Sequence, residues 1–378
     1  MRDKRNEVLA KLLVDYSTKL KRGDVLYLEL KGKETLELGK VILRYATEKG
    51  AIPFWFYNDD SLQRQWVRSA DEKQFKVQAE LHLGLMKRAD AYIGVRGPDN
   101  AFDLSDVDPR QSALHSKLYL KPVHFEERVK RTRWVILRYP SNSMAQLAQM
   151  SQEAFEDYYY DVCCADYPKM SKAQEVLKSL MEKTDEVRIK APGTDLRFSI
   201  KGIPAVKCDG IMNIPDGEVY TAPVKDSVNG TIRYNTPSLH EGTVFTGISL
   251  TFKDGKIVKA TADSNEEKLN KVFDTDAGAR YVGEFAVGCN PFVTRPMMDT
   301  LFDEKIAGSF HFTPGNSYDE APNGNSSAVH WDLVQIQRPE YGGGEIWFDG
   351  KLVRKDGKFT DPKLERLFSK ENLRSEGM

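Results

Sequence analysis

The amino-acid sequence predicts an α/β amino-terminal domain with a mostly parallel sheet, followed by a β-rich (α+β) carboxy-terminal domain. At 378 residues the chain is longer than one ordinary domain. In the first half, short apolar runs alternate with segments of helical periodicity. Near residue 185 this pattern changes to short alternating runs separated by tight turns. We therefore predict two domains, residues 1–184 and 185–378.

The first half contains four predicted strands. Apolar residues recur at helical spacing in most of the segments around them. The run Ile52 to Tyr57 is apolar throughout, which is typical of a strand buried on both faces. The predicted strands span 25–30, 52–57, 91–95 and 134–139, and the predicted helices span 5–21, 36–46, 61–88, 143–150, 152–165 and 171–182. This alternation predicts a parallel sheet covered by helices.

The ends of these strands carry no glycine-rich phosphate-binding pattern. The first domain therefore has no dinucleotide-binding or P-loop signature. We predict that residues 1–184 form a scaffold and a wall for the substrate.

The second half has the turn chemistry of antiparallel sheets. Residues 186–190 and 195–201 alternate on either side of a turn and predict a hairpin. Asp-Gly pairs follow at 254–255, 349–350 and 356–357. One helix is predicted, with Ser264 and Glu267 at the spacing of a capping box.

Charge and composition exclude several classes of protein. Lys and Arg total 55 against 56 Asp and Glu, so the chain lacks the positive surplus of a dedicated nucleic-acid binder. No apolar run approaches the ~20 residues of a membrane span, and the amino terminus lacks a signal-peptide core. The four cysteines have no disulfide-framework or zinc-site spacing. We expect a cytoplasmic protein with reduced thiols that binds neither nucleic acid nor membrane.

Residues 309–337 bring together two of the six histidines, His311 and His330. They lie on two apolar segments joined by a loop rich in Pro, Gly, Asn and Ser, which predicts a hairpin-like arrangement. Strict alternation in the second segment places His330 and Asp332 on one face. Imidazole and carboxylate together suit zinc, cobalt or manganese. A core histidine held by a carboxylate is also common without metal, so this pair alone leaves both interpretations open.

Two carboxylates in the β-rich half occupy unusual positions. Glu218 follows a Pro-Asp-Gly turn at the start of a short strand, and Glu284 lies in a strand that is otherwise apolar or small. A buried glutamate is costly unless it is paired or bound to a cation. Three carboxylates and two imidazoles suit two divalent ions bridged by hydroxide. Glu304 is a weaker candidate, for which we favour a structural role.

Several of these runs resemble the thermophilic aminopeptidase T family (aminopeptidases T, S and II), which are dinuclear metallo-aminopeptidases. The likeness rests on 217–223 (Gly-Glu-Val-Tyr-Thr-Ala-Pro), Gly283-Glu284, 301–308 with His311, and His330-Trp331-Asp332. It extends in the same order to residues 133–135, 139–140 and 193–196. The resemblance implies an α/β domain, a metal-binding β-rich domain of residues 185–378, a homodimer, and peptide substrates with a free amino terminus. It implies the metal ligands Glu218, Glu284, His311, His330 and Asp332, and the active-site tyrosine Tyr318.

The expected activity is hydrolysis of the amino-terminal peptide bond through a metal-bridged water, with two divalent ions (zinc, cobalt or manganese). Asp332 is expected to bridge the ions, because it lies beside His330. Glu284 either bridges them or relays the proton to the leaving amine. Tyr318 is expected to stabilise the oxyanion. For the substrate ammonium, the sequence leaves the choice between a metal and the carboxylates of Asp319 and Glu320 open.

Two other functions remain open at this point. A dinuclear phosphoesterase uses the same ligand types, and Lys305 is the nearest cation that could assist it. A non-catalytic protein could hold calcium in the loop 315–325, although that loop lacks a regular spacing of oxygen ligands.

Overall fold

The computed structural model describes residues 3–375, which form two compact units. The first unit contains residues 3–164 and 210–215, and the second contains residues 165–209 and 216–375. The first is α/β and the second is β-rich, as predicted. The second unit begins at Ala165, because the helix Tyr167–Met181 packs against its strands. A division of function at residue 184 stays a prediction.

The first unit is built on a five-stranded sheet whose neighbouring strands are all parallel. Its strands are Val25–Lys31 (β1), Ile52–Asn58 (β2), Ala91–Arg96 (β3), Arg133–Arg138 (β4) and the two-residue Asn213–Ile214 (β8 in chain order). The spatial order is β2-β1-β3-β4-β8. The predicted mostly parallel sheet is therefore confirmed.

Helices connect these strands. They are Arg5–Lys11 (α1), Leu36–Glu48 (α2), Asp60–Ser69 (α3), Glu72–Met86 (α4), Pro109–His115 (α5), Val129–Arg131 (α6), Asn142–Leu147 (α7) and Gln152–Cys163 (α8). Segments with π-helical hydrogen bonding extend α1 over Leu12–Ser17 and join α5 to α6 over Ser116–Arg128. No helix among residues 3–375 has the length and apolarity needed to span a membrane.

Three details of the first unit differ from the prediction. β2 lies at the edge of the sheet, and Trp55 is 59% exposed, so this strand is not the buried one that its apolar sequence suggested. The predicted helix 61–88 is two helices, because Asp71 and Gln74 form a reciprocal capping box that starts α4. The helical segment 109–131 was not predicted.

The second unit contains two larger antiparallel sheets and a small hairpin. Its strands are Glu186–Ala191 (β5), Thr194–Ser199 (β6), Val206–Cys208 (β7), Glu218–Thr221 (β9), Asn229–Arg233 (β10), Ser238–His240 (β11), Thr243–Phe245 (β12), Ser249–Lys253 (β13), Lys256–Thr261 (β14), Val282–Gly288 (β15), Ser309–Pro314 (β16), Val334–Ile336 (β17), Glu345–Phe348 (β18), Lys351–Lys355 (β19) and Lys358–Phe359 (β20). Its helices are Tyr167–Met181 (α9), Glu266–Phe273 (α10), Thr300–Asp303 (α11), Pro362–Leu367 (α12) and Lys370–Leu373 (α13).

The two larger sheets share an aromatic core. The eight-stranded sheet has the order β14-β13-β10-β6-β5-β18-β19-β20, and the five-stranded sheet has the order β17-β16-β15-β9-β7. Phe198 on β6 packs against Phe285 and Phe312 of the second sheet, with ring centroids 5.0 and 4.9 Å away. Burial of these rings on one face leaves the opposite face of β15 and β16 free for polar side chains.

The capping box predicted at Ser264 is not formed. Asn265 precedes α10 with a φ of 59° and makes no side-chain cap. Ser264 Oγ instead accepts a hydrogen bond from the backbone N–H of Thr246. A tertiary contact thus replaces the local cap that the sequence spacing indicated.

Candidate metal centre

Three predicted ligands come from adjacent strands of the five-stranded sheet. Glu218 begins β9, Glu284 lies on β15 and His311 lies on β16. Ala286 of β15 pairs with His311, and Gly288 pairs with Glu218. Side chains at paired and alternate positions share one face, so the three side chains project together from the sheet.

Small residues between these ligands make room for them. A Cβ at Gly288 would lie 2.6 Å from Ser309 Oγ and 2.6 Å from the carbonyl oxygen of Ile306. Ala286 is fully buried at the centre of the same face. The backbone of β15 can therefore approach the segment before β16 closely enough to bring Glu218 and His311 together.

The other two predicted ligands lie before β17 rather than within a strand. His330 forms only an isolated bridge with Gly315, and the ladder with β16 starts at Val334. The predicted strand is therefore shorter than the alternating sequence suggested. His330 and Asp332 nevertheless point the same way, with 3.2 Å between His330 Nε2 and Asp332 Oδ1.

All five predicted ligands converge on one buried cluster. Glu284 lies between the histidines, with Oε1 2.8 Å from His311 Nε2 and Oε2 3.5 Å from His330 Nε2. Glu218 Oε2 lies 3.6 Å from His311 Nδ1. Glu218, Glu284 and His311 are at most 4% exposed. Five side chains that are widely separated in the sequence thus surround one small volume.

The charges of this cluster depend on each other. Burial alone would lower the pKa of His311, but Glu218 and Glu284 raise it to about 10. Burial also opposes protonation of His330, yet the neighbouring Asp332 raises its pKa to about 10. Burial raises the pKa of Glu284 above its usual value. Without a bound cation, the site therefore holds protons on both imidazoles at neutral pH.

The unpaired atoms of the cluster fit a metal cation. Glu218 Oε2, Glu284 Oε2 and His311 Nδ1 are buried and have no hydrogen-bond partner in the described residues. All three can accept a bond from a cation once the imidazole is neutral. His330 Nδ1 lies 2.9 Å from the carbonyl oxygen of Asn316, which favours a free Nε2 for coordination. Thr313 Oγ1 donates to Asp332 Oδ1 over 2.8 Å and orients that carboxylate.

Glu304 and Lys305 are closer to the site than the sequence suggested. Glu304, Glu218 and His311 offer ligand atoms that all lie within 4.8 Å of one another. Lys305 Nζ lies 2.6 Å from both Glu218 Oε1 and Glu304 Oε1, and 3.5 Å from Asp216 Oδ1. The side chain of Lys305 is 1% exposed. The signal in the sequence was the charged run Asp303-Glu304-Lys305 within an apolar segment.

Tyr318 lies over the edge of the cluster. Its ring centroid is 4.6 Å from that of His330 and 5.7 Å from that of Tyr220. The residue as a whole is 43% exposed, but desolvation of its hydroxyl and the nearby carboxylates of Glu284 and Asp332 raise its pKa well above the usual value. The hydroxyl therefore stays protonated and can donate a hydrogen bond. Asp319 and Glu320 follow it in an exposed position.

This geometry defines a class of protein. Carboxylates and imidazoles directed into one buried volume, with unpaired acceptor atoms and a neutral hydroxyl beside them, are typical of a metal-dependent hydrolase. Residues 2–359 match the family described as thermophilic metalloprotease (M29), and the chain belongs to that family. It is therefore a metalloprotease that acts on peptide bonds.

Comparison with individual proteins agrees with this assignment. The chain is 27% identical to Aminopeptidase 2 of Geobacillus stearothermophilus, over 94% of this chain and 95% of that protein. The structure of wild-type AmpT from Thermus thermophilus has a TM-score of 0.78 at 23% identity and covers 94% of this chain and 99% of its own. A 2,5-dihydroxypyridine dioxygenase from Pseudomonas putida KT2440 has a TM-score of 0.61 at 13% identity, over 96% and 98% of the two chains. At these identities the two structures share the fold, and the fold alone does not select the reaction.

Proposed function

We propose that this protein is an aminopeptidase that uses two divalent metal ions to hydrolyse the amino-terminal peptide bond of peptides. The observation that carries this proposal is the convergence of Glu218, Glu284, His311, His330 and Asp332 in a member of a metalloprotease family. Zinc, cobalt and manganese all suit this donor set.

The arrangement of the ligands supports two ions rather than one. His311 with Glu218 forms one group, and His330 with Asp332 forms the other. Glu284 contacts both histidines through different oxygens, so Glu284, rather than Asp332, lies between the two groups and could hold a metal ion of either. Glu304 would complete the first group. Because the Lys305 ammonium offsets the negative charge that Glu304 adds, the charge of the set still suits two divalent ions.

Glu218, Glu284, His311, His330 and Asp332 would hold the metal ions, whose chemistry when bound would be polarisation of the scissile carbonyl and activation of a water as nucleophile. With one oxygen left free of metal, Glu284 would accept a proton from the attacking water and pass it to the leaving amine. The Tyr318 hydroxyl donates a hydrogen bond to the carbonyl oxygen as negative charge develops there. His330 packs against the ring of Tyr318 and keeps the hydroxyl beside the cluster.

Recognition of the free amino terminus restricts the reaction to the first residue of a peptide. The substrate ammonium needs a metal or a carboxylate, and Asp319 and Glu320 follow Tyr318 directly in the chain. Both carboxylates are exposed and available to an incoming peptide. The substrate ammonium would therefore bind either a metal ion or one of these two carboxylates.

The test uses protein that is stripped with chelator and reloaded with zinc, cobalt or manganese. Its hydrolysis of a chromogenic leucyl amide is compared with hydrolysis of the N-acetylated amide. We expect metal-dependent cleavage of the free-amine compound only. Equal cleavage of both amides, or no cleavage with any metal, would contradict the proposal.

The two alternative functions find less support. Lys305 is fully buried and its ammonium is shared by three carboxylates, so it cannot clamp a phosphoryl group. In the loop 315–325, the amides of Asn323 and Asn325 donate to backbone carbonyls and hold the loop itself. These contacts do not form an oxygen cage for calcium.

We also propose that the protein is a cytoplasmic homodimer, as the sequence resemblance implies. The exposed aromatic residues of the edge strand β2, Trp55, Phe56 and Tyr57, offer an apolar surface for a second copy. Sedimentation analysis of Trp55→Lys tests this surface. A dimer of unchanged stability would remove β2 from the interface.

A further inference from the structure

The first unit contains a cavity of about 610 Å³ that belongs to no part of the metal cluster. Its walls include the carboxyl ends of β1, β2 and β3, helix α3 and the helical segment 116–128. In the sheet order β2-β1-β3-β4, β2 lies on one side of β1, and β3 and β4 lie on the other side. The strand order therefore reverses direction at β1. Ligands of open α/β sheets bind at such a point, at the carboxyl ends of the strands.

The sheet face below the cavity carries charge. Glu29 and Lys31 of β1 and Arg96 of β3 all line the cavity. Glu29 accepts a hydrogen bond from Asn58 Nδ2 over 2.9 Å and a short one from the Tyr92 hydroxyl. Gly94 permits the second bond, because a Cβ there would lie 2.8 Å from the Tyr92 hydroxyl oxygen. A charged floor of this kind is costly for a sheet that serves only as a scaffold.

Arg128 supplies a buried cation in the cavity wall. It is 6% exposed, and its guanidinium lies 4.5 Å from the Trp134 ring and 5.1 Å from the Tyr92 ring. Its Nε contacts His124 Nδ1 at 3.3 Å, whereas its Nη1 is buried without a hydrogen-bond partner in the described residues. A guanidinium fixed between two aromatic rings with a free N–H is suited to a carboxylate.

Two more wall residues have unsatisfied polar atoms. Trp66 Nε1 and Gln78 Oε1 are buried and have no partner among residues 3–375. Three unpaired groups around one cavity are costly without a ligand, because each loses its hydrogen bond to water. The histidines of the wall add no charge, because burial lowers the pKa of His115 to about 4 and of His124 to about 3.

We propose that this cavity binds a small zwitterionic carboxylic acid, namely a free α-amino acid with an apolar side chain. Arg128 and the indole N–H of Trp66 take the carboxylate. Glu29 takes the ammonium group, since its oxygens can accept further hydrogen bonds. Tyr119 and Phe125, which also line the cavity, pack against the side chain.

This site is distinct from the metal cluster and adds a ligand that the proposed reaction does not require. Free amino acids are what an exopeptidase releases, so the cavity would let the protein sense its own product. The binding itself does not depend on that reaction, because the residues that carry it hold no metal. It can therefore be tested on inactive protein.

The test is titration calorimetry of the full-length, chelator-treated protein with L-leucine. We expect one equivalent of leucine to bind per chain. Leucinamide, which lacks the carboxylate, and N-acetylleucine, which lacks the ammonium group, should each bind at least tenfold more weakly. Inorganic phosphate should not compete.

Variants assign the binding to the cavity. Arg128→Gln and Trp66→Phe should each weaken leucine binding at least fivefold, while His311→Gln should leave it unchanged. The matched control is Trp55→Phe, because Trp55 is an exposed tryptophan of the same unit. Because Trp66→Phe keeps an aromatic ring, it can assign leucine binding to the cavity if Arg128→Gln does not fold.

Three results would overturn the proposal. The first is absence of leucine binding at millimolar concentration. The second is binding that is lost in His311→Gln and retained in Trp66→Phe. The third is that phosphate competes with leucine and that the protein binds leucine and leucinamide with equal affinity. None of these depends on peptidase activity, so a failure of this inference is distinguishable from a failure of the proposed function.

Discussion

The metal cluster of the second unit and the cavity of the first unit both place charged side chains on the face of a sheet, but they differ in the kind of atom that is left unpaired. In the metal cluster of the second unit the unpaired atoms are the oxygens of Glu218 and Glu284 and a nitrogen of His311, which all accept once the imidazole is neutral. Among the residues that line the cavity of the first unit, two of the three unpaired atoms are donors, on Arg128 and Trp66. Unpaired acceptors call for a cation and unpaired donors call for an anion. The same physical rule thus predicts metal in one unit and a carboxylate in the other.

The histidines of the two units sharpen this contrast. Glu218 and Glu284 surround His311 and raise its pKa to about 10. Burial lowers the pKa values of His115 and His124 to about 4 and 3, and the nearby Glu29 does not offset this effect at His124. Without metal, the histidines of the cluster are therefore cations, whereas those that line the cavity are neutral donors or acceptors.

The largest expected effect is a loss of metal and activity on substitution of His311 but not of His115. His311→Gln should remove bound metal and abolish peptide hydrolysis, because Nδ1 and Nε2 are both directed at carboxylates of the cluster. The same substitution at His115 should leave the metal content unchanged. Metal analysis of both variants checks this. Equal loss of metal in the two variants would contradict the contrast.

The next effect concerns turnover without loss of metal. Tyr318→Phe should lower kcat by about 100- to 1,000-fold, because it removes one donor to the oxyanion. Bound metal and KM should change little. Steady-state kinetics of Tyr318→Phe beside Tyr281→Phe, a tyrosine in the same unit, tests the assignment. Nearly full turnover in the first variant would exclude Tyr318 from the oxyanion site.

A smaller effect on metal affinity is expected for a residue that orients a ligand without binding the metal itself. Thr313→Val keeps the shape of the side chain but removes the hydrogen bond to Asp332. Metal affinity should fall by about 10- to 100-fold, as for other residues that orient a ligand. Competition with a chelator of known affinity measures it. Thr251→Val, in the other sheet, is the control, and an equal loss in both variants would refute the positioning role.

The smallest expected effect is the release of protons when the protein takes up metal. His311 and His330 have pKa values raised to about 10, so both are protonated at pH 7 without metal and must be neutral to coordinate it. Metal uptake at pH 7 should therefore release about two protons, and metal affinity should rise with pH up to about 10. Calorimetry in buffers of different ionisation enthalpy gives the count. Release of no protons would show that the imidazoles are not ligands.

The convergence of these carboxylates and imidazoles could be predicted because its signals in the sequence were local and chemical, whereas their role as metal ligands stays a prediction. An acidic residue in an apolar strand identified Glu284, and alternation placed His330 beside Asp332. Alternation succeeded even though the regular ladder begins only at Val334. An extended backbone retains the two-residue repeat without a partner strand.

What the sequence missed depended on tertiary structure. Glu29 also interrupts an apolar strand, but only the fold shows that Arg96, Tyr92 and the helical segment 116–128 surround it. The exposure of β2 could not be read from its apolar residues, because sequence does not reveal which strand lies at an edge. Glu304 and Lys305 are neighbours in sequence, and their contact with Glu218 is made only by the closed sheet.

The most direct test of the central claim is the anomalous diffraction of crystals soaked with zinc, collected at the zinc edge. The account predicts two peaks among Glu218, Glu284, His311, His330 and Asp332, separated by about 3.5–4 Å. It predicts no peak in the cavity beside Arg128. A single peak in the cluster, or none, would contradict the dinuclear centre, and a peak beside Arg128 would contradict the contrast between the two units.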